Sequence, residues 1–210
     1  MSVTILLIFE IIGTTAFAAS GAITGLRKGM DIFGVSILGL ATAVGGGIIR
    51  DLILGITPPM TFQNPIYATI AILVSILFFV VVKKSPSFSI KGSEIIMLLA
   101  DSIGLGVFTV IGINTAYSID SDHSMFLLIF VGVITGVGGG VMRDIMAGNP
   151  PYVFVKHVYA CASIIGALVC VMCWPQLGST TSMLAGTAVV ITLRLCAAHF
   201  RWSLPKAKID

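Results

Sequence analysis

A chain of 210 residues with 57% hydrophobic and only 10% charged residues, and a mean hydropathy of +1.07, is too apolar for a soluble domain and marks an integral membrane protein. The formal net charge of +3 sits in loops and tail with no basic face of the kind that tracks phosphates, which excludes a nucleic-acid binder. No nucleophile-base pairing or metal-ligand spacing is visible, so an enzyme is not expected.

With about 20 apolar residues needed per crossing, the chain divides into seven spans. The first covers about Val3 to Leu26 and is closed by Arg27-Lys28-Gly29; lacking a basic n-region and an Ala-x-Ala site, it reads as a retained span rather than a leader. The second runs about Ile32 to Ile56 and ends at Pro58-Pro59, and the third about Pro65 to Val82, stopped by Lys83-Lys84. A polar loop from Ser85 to Ser93, with Lys91, leads to the fourth, about Glu94 to Ala116. After Ser118 to His123 the fifth covers about Met125 to Gly148 and again ends at a Pro-Pro pair, Pro150-Pro151. The sixth, about Tyr152 to Cys173, is broken by Trp174-Pro175, and the seventh is about Ser182 to Phe200. Arg27, Lys28, Lys83, Lys84, Lys91, Lys156, Arg201, Lys206 and Lys208 then share one face, while the other holds Asp120 and Asp122. The positive-inside rule places the N-terminus outside and the C-terminus in the cytoplasm.

One stretch occurs twice, as Gly45-Gly46-Gly47-Ile-Ile-Arg50-Asp51 and as Gly138-Gly139-Gly140-Val-Met-Arg143-Asp144, each followed by Gly and Pro-Pro. Glu10, Gly13, Phe17, Gly21 and Thr24 match Asp101, Gly104, Phe108, Gly112 and Thr115, each 91 positions later, and Tyr67 matches Tyr159 at 92. The expected organisation is therefore an all-α membrane protein with a first three-helix repeat over 1–84, a second over 92–174, a seventh helix over 180–200 and a basic tail over 201–210. Three spans per unit is an odd number, so the second unit enters the membrane upside down, an architecture that puts a permeation or substrate site near the midplane.

A charge inside a span costs at least about 2.5 kcal/mol on insertion scales and normally pairs or faces water. Two clusters follow, Glu10 with Arg50 and Asp51 toward one mouth, Asp101 with Arg143 and Asp144 toward the other. They are pore charges or static struts. Small residues usually mean close helix packing, but neighbours in a helix point about 100° apart. Three adjacent glycines are therefore expected to mark a kink or unwound turn with freed carbonyl oxygens. His123, His157 and His199 form no ligand set, and Cys161, Cys170, Cys173 and Cys196 read as small packing residues although two of them make a CxxC. Thr14, Thr15, Ser20, Thr24, Thr109, Asn114 and Thr115 either line a polar path or bond back to their own helices.

The paired glycine and Arg-Asp blocks within three plus three plus one spans resemble the prokaryotic branch of the trimeric intracellular cation (TRIC) channel family, also described as a bacterial glycine transporter domain family. The resemblance covers nearly the whole chain, the seventh span by position only. It implies a homotrimer in a prokaryotic plasma membrane, each protomer with its own pore for monovalent cations, potassium above all. It also implies that the second and fifth helices bend at Gly45, Gly46, Gly47 and Gly138, Gly139, Gly140, with Arg50 and Arg143 at the constriction or supporting it. Apart from the permeant potassium ion and bound membrane lipid, no cofactor or metal is expected.

Two other readings use the same residues. A carrier would bind a small zwitterion such as glycine at the midplane, its carboxylate near an arginine or a half-helix N-terminus. A scaffold would use the basic loops and tail on anionic lipids, but has no need of weak helices at its core.

Overall fold

The computed structural model describes residues 3–84, 90–120, 122–155 and 158–202, and among them there is no strand. Lys156, His157, Lys206, Lys208 and the side chain of Lys91 lie outside the described residues. Eight helices follow in order: α1 (Val3–Arg27), α2 (Ile32–Ile53), α3 (Met60–Gln63), α4 (Ile66–Lys84), α5 (Ile90–Ile119), α6 (Met125–Met146), α7 (Tyr152–Val155) and α8 (Tyr159–His199). Six of them are long and apolar enough to cross a membrane. The protein is thus an all-helical membrane protein.

The duplicated residues start and stop their helices alike. Asp31 accepts from the Gly34 N–H and Ser124 from the Leu127 N–H, so each caps its helix N-terminus. At the other end Gly55 and Gly148 take φ of +73° and +67°, the left-handed turn that glycine adopts without a Cβ clash. The Ile56 and Asn149 N–H groups then bond back to the Asp51 and Asp144 carbonyls at 2.8 Å. This Schellman closure ends α2 at Ile53 and α6 at Met146, two or three residues before the expected limits Ile56 and Gly148. Short helices α3 and α7 follow the two Pro-Pro pairs.

Other boundaries differ too: α4 runs on to Lys84 and α5 to Ile119, past the expected Val82 and Ala116, and three further differences have a visible cause. Helix α5 already begins at Ile90, because Arg27 donates to Ser93 Oγ from Nε (3.2 Å) and Nη2 (2.7 Å) and fixes that turn to the end of α1. Tyr152 opens the separate helix α7, not the sixth span, because Asp144 accepts its backbone N–H at 2.9 Å. The break expected at Trp174-Pro175 falls at Gly178, with φ 71° and ψ 172°, and the helix continues on either side of it. Forty-one residues would be roughly 60 Å of straight helix. Gly178 divides that length into two arms.

Helix α5 is the most enclosed of the long helices and α4 the least. The first helices form the triad α1, α2 and α4, the later ones the triad α5, α6 and α8, and α1–α5 and α2–α6 contacts join the two. The contacts across this junction are reciprocal. Phe17 lies over Gly104 while Phe108 lies over Gly13, so each ring fills the space that a β carbon would need on the opposite helix. Within each triad an equivalent contact recurs: Thr42 and Thr135, whose hydroxyls bond to their own helices at Leu38 and Val131, sit against Gly21 of α1 and Gly112 of α5. In hydrocarbon, where helices gain little from excluding water, such close contact is a principal source of association energy.

Candidate functional site

The glycine triplets meet where α2 crosses α6. Neither helix unwinds there: residues 45–47 and 138–140 are helical, which corrects the expected unwound turn. A β carbon on Gly46 would run into the carbonyl oxygen of Thr135, and one on Gly139 into that of Thr42, while one on Gly138 would stand 3.0 Å from the Cα of Gly46. The middle glycines therefore remove side chains so that two backbones can touch. The flanking ones differ from each other. A β carbon on Gly47 would meet only Arg50 Nη2, at 3.8 Å, whereas one on Gly140 would stand 2.7 Å from Tyr159 Oη and one on Gly45 would run into the Met142 thioether.

The first charge cluster opens into a cavity of about 260 Å³ lined by Glu10, Thr14, Arg50, Asn64, Tyr67 and Phe108, among others. Arg50 is held by its neighbour, Nε to Asp51 Oδ1 at 2.8 Å and Nη2 at 2.7 Å. The other Asp51 oxygen accepts the Met60 N–H at 2.7 Å and so pins α3 beside the cavity. Glu10 shares that cavity but, among the described residues, makes no ion pair with Arg50. Its carboxylate accepts from the Tyr67 hydroxyl. The expected three-residue cluster is thus an Arg50–Asp51 pair facing a Glu10–Tyr67 pair.

The second cluster is closed. Arg143 donates from Nη1 to Asp101 Oδ1 at 2.6 Å and from Nε to Asp144 Oδ1 at 2.8 Å, as expected, and also reaches Ser20 Oγ. Its guanidinium lies over the Tyr152 ring at 5.0 Å. Burial pushes the Tyr152 phenol above its ordinary pKa, with the Arg143 charge pulling the other way. Arg194 of α8 stands 3.8 Å from Asp101 Oδ2 and lies over the Tyr159 ring at 4.7 Å. Two arginines and two aspartates, all at least nine-tenths buried, balance to zero charge. Such a group is tolerable only because hydrogen bonds replace much of the lost hydration.

Arg194, Tyr67 and Tyr159 are the site residues that sequence reasoning missed. Arg194 lies between Leu193 and Leu195, and the rule that selected Arg50 and Arg143, a charge inside an apolar span, applies equally to it. It has no counterpart in the first half, so a search guided by the repeat passes over it. Beyond Arg194 a cavity of about 550 Å³ opens, lined also by Arg27, Glu94, Tyr152, Arg201 and Trp202. Glu10 and Arg27 are 17 residues apart on α1, about 25 Å, so the two cavities lie toward opposite ends of the bundle. Between them Phe17 and Phe108 meet with centroids 5.2 Å apart and ring planes tilted by 39°. Phe108 lines the smaller cavity and Phe17 is completely buried.

The remaining polar residues are largely structural. Thr24, Thr109 and Thr115 bond back to carbonyls of their own helices, and Thr109 also meets Ser163 Oγ at 2.7 Å. The four cysteines are free thiols, Cys170 packed in the core beside Val110 and Met183.

Fold and site together define a helical membrane protein with arginine–carboxylate clusters set between opposed cavities. The chain belongs to the family described as Glycine transporter, whose model matches residues 7–83 and 98–175. It is 35% identical to the inner membrane protein YadS of Escherichia coli (strain K12) over 204 residues, 96% of this chain and 95% of that one. Among solved structures it resembles a TRIC cation channel at 38% identity, with 97% of each chain covered and a TM-score of 0.83. It also resembles the TRIC trimeric intracellular cation channel orthologue from Rhodobacter sphaeroides, at 28% identity, 95% of this chain, 100% of that chain and a TM-score of 0.86.

Proposed function

We propose that this protein is a potassium-permeable monovalent cation channel, a homotrimer with one pore in each protomer between two inverted three-helix repeats. The observation that carries this reading is the pair of opposed cavities separated by the α2–α6 glycine crossing and the charge-balanced cluster of Asp101, Arg143, Asp144 and Arg194. A cation entering beside Glu10 and Asn64 meets the Phe17–Phe108 layer, then the Asp101–Arg143 cluster, then the larger cavity. Arginine alone would repel it. The carboxylates of Asp51, Asp101 and Asp144 offset that charge and lower the barrier. The likeness to TRIC cation channels, one of them described as trimeric, supports the ion class and the trimer.

The inverted repeat is supported by the reciprocal Gly46–Thr135 and Gly139–Thr42 contacts and by the family model matching two separate stretches of similar length. Seven crossings follow if the arms of α8 on either side of Gly178 each span the bilayer. Arg27, Lys28, Lys83, Lys84 and Arg201 then lie on the cytoplasmic side of a prokaryotic plasma membrane, with the N-terminus outside. In this reading Gly45 to Gly47 and Gly138 to Gly140 bend α2 and α6 around the pore without loss of helix, and Arg50 and Arg143 form the constriction. Membrane lipid fills the outer faces. The function assigns no catalytic chemistry.

The family description favours a second reading, carriage of a small zwitterion such as glycine. Purified protein in planar bilayers under a potassium gradient, with glycine added to one side, separates the two. Unitary currents that reverse near the potassium potential and ignore glycine support the channel. Silence, with saturable glycine uptake into matched vesicles, replaces it with the carrier.

A further inference from the structure

We propose that Arg194 is a gating residue: it competes with Arg143 for Asp101, and exchange of that carboxylate between the two arginines opens and closes the inner end of the path. The proposal rests on the channel reading. Asp101 has no solvent exposure, yet among the described residues only its Oδ1 is hydrogen-bonded; Oδ2 finds no hydrogen-bond partner among them and faces Arg194 Nη2 at 3.8 Å. That distance is too long for a hydrogen bond and about 1 Å longer than a formed one. Arg194 Nε, Arg143 Nη2 and Tyr159 Oη are also buried without hydrogen-bond partners among the described residues. A buried carboxylate oxygen without a hydrogen bond is unfavourable, and the charge that stands nearest to Oδ2 is Arg194 Nη2. The geometry holds one carboxylate between two cations, bonded to the first and within a short movement of the second.

The surroundings permit that movement. Arg194 lies over the Tyr159 ring, a contact that tolerates sliding of the guanidinium better than a fork of directed bonds. It also borders the 550 Å³ cavity, so its charge can shift between Asp101 and water. When Asp101 turns to Arg194, Arg143 keeps Asp144 and Ser20 as partners. Arg143 then loses its tie to α5 and is held only from α1 and its own helix α6. Tyr159 conveys the change to the pore helix, since its hydroxyl stands 2.7 Å from where a Gly140 β carbon would be. The outer cluster lacks this device: Glu10, at the position matching Asp101, is bonded to Tyr67, and among the described residues Arg50 is the one arginine lining its cavity.

Single-channel recording of wild type, Arg194→Gln and Arg194→Lys in symmetrical potassium chloride tests this. Arg194→Gln removes the competing charge and leaves Asp101 with Arg143, the closed arrangement. Its open probability should fall about tenfold, within the range of coupling between such sites. Arg194→Lys restores charge without the fork and should fall between the two. Wild-type open probability in folded Arg194→Gln, or lowered unitary conductance at unchanged open probability, overturns the exchange. The second result would make Arg194 a pore-wall charge. Should Arg194→Gln fail to assemble, Arg194→Lys decides alone: wild-type gating in it overturns the proposal. A silent wild type overturns the channel reading first, and the exchange with it.

Discussion

The carbonyl oxygen of Thr135 occupies the place that a β carbon on Gly46 would take, and Thr42 bears the same relation to Gly139. One methyl group at either position must push two helix backbones apart. Gly46→Ala and Gly139→Ala should each destabilise the purified protein by about 1–3 kcal/mol, the usual cost of overpacking, whereas Gly47→Ala, which meets only the end of the Arg50 side chain at 3.8 Å, should change little. Thermal unfolding of the three variants in one detergent checks the ordering. Equal stability of all three would remove the contact as a determinant of the fold.

Arg143 and Arg50 occupy matching sequence positions but not matching environments. Arg143 has no exposure and neutralises Asp101 and Asp144; Arg50 is 7% exposed, pairs with Asp51 and borders a cavity. Arg143→Ala leaves two carboxylates beside an empty space and should cost about 3–5 kcal/mol, as removal of one partner from a buried ion pair does. Arg50→Ala should cost less in stability and alter conductance, because water in the cavity can solvate Asp51. Unfolding temperatures and single-channel currents of the pair test both statements.

Phe108 forms part of the floor of the smaller cavity, and Phe17 lies behind it. A hydrophobic constriction holds back ions by excluding water, so Phe108→Ala should raise the open probability or background conductance. Phe17→Ala, made in the core, should mainly lose stability, about 3–5 kcal/mol. A Phe108→Ala channel with unchanged currents would place the barrier elsewhere.

Glu10 contributes a carboxylate at the mouth opposite the arginine-rich cavity. Glu10→Gln should reduce potassium conductance, more so at low ionic strength, where about 30 Å of Debye length replaces the 10 Å found at 0.1 M salt. Conductance measured from 10 mM to 1 M salt checks it. Equal loss at all concentrations would argue for a structural effect through the Tyr67 bond.

The membrane class, the places of the long helices, the doubled glycine and Arg-Asp blocks and the Asp101–Arg143–Asp144 grouping were all legible in the sequence, for a physical reason. Apolar length is set by bilayer thickness, and a charge inside such a length must find a partner. Repetition supplied the pairing for Asp101 and Arg143. Its symmetry misled for Glu10, whose match to Asp101 says nothing of Tyr67, and hid Arg194, which belongs to neither half. Sequence could not decide what the triple glycines do, since helix weakness and close contact call for the same residue. Only the tertiary crossing, which sets Gly46 on Thr135 and Gly139 on Thr42, assigns the middle glycines to contact. The same holds for the length of α8: Trp174-Pro175 looks like a stop, but the chain turns at Gly178, where a positive φ is required. Local chemistry determines which groups must be satisfied, and packing between distant segments determines by whom.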